Sequence, residues 1–336
     1  MSRQLLHIAS TERLMSTVKA FKIIALLLGF VFSLAACQSS SPNPAAEMSD
    51  NGAVTFTHPV IPDLTIEFDK KPTTIVTDYY TAAALSVYGI KPAGVFGFSK
   101  DESFIKDNVD LDGVPEVGQG GEINLEKLAE IKPDVIIGYG KKDGWSWFKP
   151  DVNAKMVKVA PFIPFDFNSQ GIDENFKQAR AIAEFLGGDV TSEEVKKADE
   201  KWETAKEDLK KAAEGKNLSI LLTSPLKETV YTAVGFSQSK LFEDAGITVI
   251  GPDKPKEGNP WGQVSWEELP NYPADIYAYE RNSEINYLES PFWKDSKAVK
   301  ADQVFEWNAR MPYSSQAYGN WLAEVAQKIA TFQKLP

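Results

Sequence analysis

The chain has 336 residues, 36 basic against 47 acidic, a formal charge of -11 at pH 7 and a single cysteine. Those counts exclude a disulfide scaffold, a zinc ribbon and a nucleic-acid binder, and a chain of this length has a prior of two domains. With 43% hydrophobic and 25% charged residues the composition is globular, neither disordered nor multispanning.

Lys19 and Lys22 precede an apolar run over 23–34. The run has the length of an export signal and falls short of the ~20 residues a spanning helix needs. It ends Leu34-Ala35-Ala36-Cys37, which resembles the lipobox of bacterial lipoproteins. Residues 1–36 therefore read as a lipoprotein signal peptide and Cys37 as the lipidated residue, so the mature protein is expected outside the cytoplasm, held to the cell membrane by lipid. Removing the signal takes away Arg3, Arg13, Lys19 and Lys22 against Glu12, which moves the formal charge from -11 to -14. Residues 37–52 are rich in Ser, Pro, Asn and Ala without an apolar period and read as a flexible tether, with the folded part beginning near Ala53.

His58 is then the only histidine left, beside Pro59 in a strand-edge segment. A Ser-His-Asp or Cys-His catalytic unit and a metal site of several histidines both lack the residues they need. No catalytic residue, resident metal or cofactor is expected, although carboxylate-only hydrolysis stays open.

A β-branched run over 73–77 is followed by Ala82, Leu85 and Tyr88 at helical spacing, Gly89, and a second strand over 93–96. A helix over 124–130, a Lys-Pro stop and an apolar strand over 134–138 continue the alternation, which makes the first lobe α/β with a parallel sheet. The segment 141–173 reads as a loop, with a Phe-Ile-Pro-Phe-Asp-Phe stretch of no assigned motif. The longest helical pattern, 192–214, spaces Val195, Ala198, Trp202, Ala205, Leu209 and Ala212 three or four apart, with Thr191 and Glu194 as a capping box and Gly215 as the stop. It either packs on one lobe's sheet or forms a strut between two. Beyond it the pattern predicts strands at 218–223, 229–232, 248–250, 275–279 and 303–306, and helices at 238–245 and 315–332. The expected organisation is an N-terminal α/β lobe over 53–190, an interlobe helix over 191–215 and a C-terminal α/β lobe over 216–336.

Three ordered stretches carry a family resemblance. The first is Val117-Gly118, then Asn124-Leu125-Glu126-Lys127-Leu128, then Ile131-Lys132-Pro133-Asp134-Val135-Ile136-Ile137. The second runs from Pro260-Trp261-Gly262-Gln263-Val264 through Ser265-Trp266-Glu267-Glu268-Leu269. The third is Pro291-Phe292-Trp293 followed by Ala298-Val299-Lys300 and Val304. From about Thr73 to Gln333 the chain resembles the extracellular solute-binding proteins that serve ferric-siderophore and vitamin B12 ABC importers. The resemblance implies two Rossmann-like α/β lobes with mainly parallel sheets joined by a single long α-helix, a bulky ligand between them, an ABC permease as partner and no enzymatic activity. It also implies that Tyr139 and Trp261 are pocket aromatics and that exposed Glu126 and Glu267, one per lobe in the first turn of a helix, dock on permease arginines. Acids are favoured at helix starts in any case, so each glutamate also has a purely local reading.

Such a ligand needs ring walls and a few polar groups on loops after the carboxyl ends of parallel strands. Tyr79 and Tyr80 follow the first strand, and Tyr139, Trp145 and Trp147 follow the strand over 134–138. In the second lobe Trp261 lies in a Pro- and Gly-rich loop, and Trp307, Arg310 and Tyr313 follow the last strand. Each ring either lines the cleft or packs beneath its own loop. The mature chain holds three arginines, of which Arg281 and Arg310 directly follow second-lobe strands. Arginine presents a planar fork of donors suited to carboxylate or hydroxamate oxygens. So few cations suit a neutral or weakly anionic chelate, and a ferric hydroxamate siderophore is favoured, with vitamin B12, haem or another chelate as alternatives. The protein is expected to be a monomer.

Overall fold

The computed structural model describes residues 52–98, 103–167, 171–253, 260–280 and 289–336. The signal, Cys37, the tether up to residue 51 and Arg281 lie outside the described residues, which all fall within one compact unit, Pro44–Pro336. Strands β1 (Val54–Thr57) and β2 (Thr65–Phe68) form an antiparallel hairpin. Next come β3 (Ile75–Asp78), α1 (Tyr79–Ser86), β4 (Gly94–Phe96), α2 (Ser103–Lys106), α3 (Leu125–Ile131), β5 (Val135–Lys141), β6 (Gly144–Trp145), α4 (Pro150–Met156), β7 (Phe162–Phe165) and α5 (Ile172–Leu186). Strands β4, β3, β5 and β7 lie side by side and parallel, and β6 turns back on the end of β5.

Helix α6 (Glu193–Ala213) leads to β8 (Ser219–Pro225), β9 (Val230–Thr232), α7 (Ser237–Asp244), β10 (Thr248–Val249), β11 (Gly262–Val264), β12 (Ile276–Glu280), α8 (Pro291–Lys294), α9 (Lys297–Lys300), β13 (Val304–Trp307) and α10 (Ser315–Thr331). The second sheet runs β11-β9-β8-β12-β13, with β10 also on β8; β9 runs antiparallel to both its neighbours, β8 and β11. The two α/β lobes expected from the alternation are both present.

Several local expectations need correction. Tyr139 lies within β5, which extends past Gly138 to Lys141. The stretch read as a loop holds β6, α4, β7 and the first residues of α5. Helix α6 is capped by Ser192, whose side chain accepts from Val195 N; the Thr191 backbone and hydroxyl instead bond to Asp189. Glu267 sits in a turn before the 3-10 segment Leu269–Asn271 rather than in a helix, although Ser265 and Glu268 do cap each other reciprocally at 3.2 and 3.0 Å.

One aspartate ties together the amino-terminal edge of each sheet. Asp134, after Lys132-Pro133, accepts from the backbone N–H groups of Thr73 and Thr74 and pairs with Lys70, contacts that hold its carboxyl far below the usual range. Asp275 plays the same part for β8 through Ser219 and for the C-terminal tail through Lys334 and Leu335 N. The carboxyl ends of both sheets are left to build a site.

At ~1.5 Å per residue, α6 is roughly 30 Å long. Arg180 of α5 holds Asp199 at 2.8–2.9 Å, and Trp202 Nε1 donates to Asp173 at 2.6 Å, which fix the first half of α6 to the first lobe. Helix α10 runs parallel beside it: Gly319 faces the Trp202 backbone, Lys201 bonds Asn320 at 2.6 Å, and Lys216 caps the Ile329 and Ala330 carbonyls at 2.9 and 2.7 Å. Phe176, Trp202 and Tyr318 meet edge to face where these helices cross α5. The single linking helix α6 is thus braced by α10, and one apolar core runs past it from Ile137 and Phe165 to Trp307 and Phe305.

Candidate functional site

Asp78 ends β3 and caps α1. It is fully buried and accepts from Thr81 N at 2.7 Å, Tyr139 N at 2.6 Å and Trp145 Nε1 at 2.7 Å. Burial pushes its carboxyl pKa up, and the three N–H bonds pull it back. Two expected site residues do not line a cleft, the first because Asp78 holds it. Trp145 is an internal ring, its indole N–H on Asp78, edge to face with Phe96 and tilted against Phe148. Tyr79 is also buried, its hydroxyl donating to Glu116.

The other first-lobe candidates converge. Tyr80 lies 5.3 Å from Tyr139, 5.9 Å from Phe98 and 6.2 Å from Trp147, ring centre to ring centre. Tyr139 stacks on Phe165 and Phe167, both at 5.1 Å, and Trp147, 36% exposed, lies nearly coplanar over Phe167 at 5.6 Å. Among the described residues the buried Tyr139 hydroxyl has no partner, and burial first, then Tyr313 and Asp78, push its pKa well above the phenol range. Phe98, Phe165 and Phe167 were not anticipated; the signal for the latter two was the alternation of Phe-Ile-Pro-Phe-Asp-Phe, which is β7 and its exit.

From the second lobe, Tyr313 closes the floor, 6.0 Å from Tyr139 and stacked at 5.9 Å on Phe165. Arg310 reaches across the junction: its Nη1 lies 3.4 Å from the Tyr80 hydroxyl and its guanidinium 5.9 Å from the Phe98 ring centre. Trp261, partly exposed, packs on Phe236 at 4.5 Å and Trp307 at 6.1 Å; Trp307 is buried and donates its Nε1 to Thr223 O at 2.9 Å. The geometry therefore gathers Tyr80, Tyr139, Trp147, Tyr313 and Arg310 in one cluster and Trp261 with Trp307 in a second.

His58 is a structural residue. Its Nδ1 accepts from Val60 and Ile61 N, and its Nε2 donates to Pro164 O at 3.0 Å, pinning the 58–64 turn to β7; burial holds its pKa down, in the neutral form these bonds require. Glu126, in the first turn of α3 under the Asn124 cap, and Glu267 are both exposed. Among the described residues no group of three His, Cys, Asp or Glu side chains is placed to hold a metal ion, and no helix is long and apolar enough to cross a membrane.

Two α/β lobes on a helical strut, with rings and a guanidinium meeting where both sheets end, define a two-lobed binding protein. The chain belongs to the periplasmic binding protein family, which it matches over residues 75–311. It is 27% identical to the iron(3+)-hydroxamate-binding protein FhuD of Bacillus subtilis, over 84% of this chain and 87% of that one. It is 26% identical to a probable siderophore-binding lipoprotein, YfiY, of the same organism, over 86% and 90%. The crystal structure of DesE, a ferric-siderophore receptor from Streptomyces coelicolor, superposes with a TM-score of 0.72 at 26% identity, covering 87% of this chain and all of that one.

Proposed function

We propose that this protein is the lipid-anchored receptor of an ABC importer, capturing a ferric siderophore of the hydroxamate type between its lobes and presenting it to the permease. The observation that carries the reading is the junction itself: Tyr80 and Phe98 from one lobe, with Trp147 packed beside them, meet Arg310 from the other, at the carboxyl ends of both sheets. Flat rings suit the apolar shell of a chelate, and a guanidinium donates to the oxygens around its iron. The hydroxamate preference is supported by the relationship to an iron(3+)-hydroxamate-binding protein along most of the chain. Anchoring rests on Cys37 at the end of its apolar signal, and delivery on Glu126 and Glu267, one exposed acid per lobe.

A titration of intrinsic tryptophan fluorescence with a panel of ferric chelates tests the reading. A ferric trihydroxamate is expected to quench the wild type strongly and Trp261→Ala more weakly, because Trp261 is the partly exposed ring of the cluster it forms with Trp307 and Phe236. Absence of a response to every iron chelate would remove the proposal.

A further inference from the structure

Glu280 carries no sequence signal, yet it is a charge fixed beside the guanidinium that crosses the lobe junction. It ends β12, the strand flanked by β8 and β13, with a side chain only 7% exposed. Ser224 Oγ donates to its Oε2 at 2.6 Å and Ala309 N to its Oε1 at 3.1 Å, while Arg310 Nε lies 4.0 Å from Oε1. The carboxylate is thereby held from β8 on one side and from the turn after β13 on the other, with the Arg310 side chain continuing past it to Tyr80 and Phe98.

We propose that Glu280 is a specificity-determining positioning residue: it holds Arg310 across the cleft and offsets its charge, so that the site selects iron chelates without net negative charge over polyanionic ones. This rests on the reading of the junction as a ferric-chelate site and adds the charge class of the ligand. Ferric iron bound by three hydroxamates is neutral, whereas three catecholates leave a charge of minus three. A guanidinium beside a buried carboxylate still offers directed N–H donors to chelate oxygens, but its attraction for a trianion is cancelled, and the carboxylate repels it in a medium of reduced dielectric.

The mature protein, titrated by tryptophan fluorescence with ferrioxamine B and with ferri-bacillibactin, tests this. The wild type is expected to prefer ferrioxamine B. Glu280→Gln should tighten ferri-bacillibactin and weaken ferrioxamine B, narrowing their ratio by about tenfold. In an Arg310→Gln background the loss for ferrioxamine B should shrink to the direct attraction of Glu280 for the chelate's pendant ammonium, since the rest acts through Arg310, while the gain for ferri-bacillibactin should persist because a fixed anion has gone. If the substitution unfolds β12, the half-exposed Arg310→Gln alone gives a second reading: it should weaken ferri-bacillibactin more than ferrioxamine B. A wild-type preference for ferri-bacillibactin, or equal shifts for both chelates in these variants, would overturn the role of Glu280. Binding of neither chelate by the wild type would instead defeat the receptor reading beneath it.

Discussion

Asp78→Ala is expected to lower the unfolding free energy by about 3–5 kcal/mol, because it removes a helix cap and strands two more buried N–H donors. The donors are Thr81 N, Tyr139 N and the Trp145 indole, all within 2.7 Å of one carboxyl group. Chelate binding should fall with stability, since Asp78 sets the end of β5 where Tyr139 lies and the hairpin that carries Trp147. Urea unfolding of the purified domain measures the first effect, and a loss below about 1 kcal/mol would mean that the three bonds are not what holds the site. Asp78→Asn adds a test of charge. Burial raises the carboxyl pKa above its ordinary 3.8, so the folded state favours the protonated form. That contribution is complete below the unfolded value and is lost as pH rises through the folded one, and the asparagine variant should lack this slope.

The joint substitution of Glu126 and Glu267 by alanine is expected to abolish chelate uptake and leave chelate affinity within about twofold. Both side chains are exposed, and neither lies among the rings that meet at the lobe junction. Losing one partner of a desolvated charge pair costs roughly 2–5 kcal/mol, so losing one on each lobe is enough to prevent productive docking. Uptake of iron-55 chelate, in cells where this protein is the sole receptor for it, reads the effect. Normal uptake by the double variant, or a loss of binding in solution, would contradict the docking role.

How much of this was legible depended on whether one residue or a distant contact decided the local structure. The Asn124 cap, the Lys-Pro break before Asp134 and the period of α6 act locally, and each element is found within a few residues of its expected place. The end of β5 was not legible because Gly138 read as the last strand residue and Gly140 as part of the loop beyond it. They are glycines inside a strand because Trp145, Asp78 and the Gly144 backbone occupy the space a Cβ would need, and those neighbours come from the turn-back of β6 and from β3. Pro164 hid β7 in the same way; a proline is tolerated there because, among the described residues, β7 pairs on one side only, with β5. Helix α5 has its apolar period in Ile172, Phe176, Ala179 and Ala183, but begins at Gly171 without a side-chain cap to announce it.

At the site, the rings that follow strand ends were readable as a class, while their individual fates were not. Tyr79 and Tyr80 are adjacent, yet one sends its hydroxyl to the exposed Glu116 and the other faces Arg310, a difference set by the helical phase of α1. Trp145 and Trp147 are two apart, and the buried carboxyl of Asp78 takes the first and leaves the second at the surface. Glu280 was invisible because its meaning comes from Ser224 of β8 and Ala309 of the turn after β13, brought to it by the second sheet.

The claim on which the rest depends is that iron sits between the lobes. Anomalous scattering at the iron edge, from crystals of the mature protein grown with ferrioxamine B, locates it directly. The expected result is a single iron peak at the junction, its chelate in contact with Arg310 and Trp147. A peak on an outer face of either lobe, or no iron in a protein shown to bind the chelate in solution at the same concentration, would contradict it.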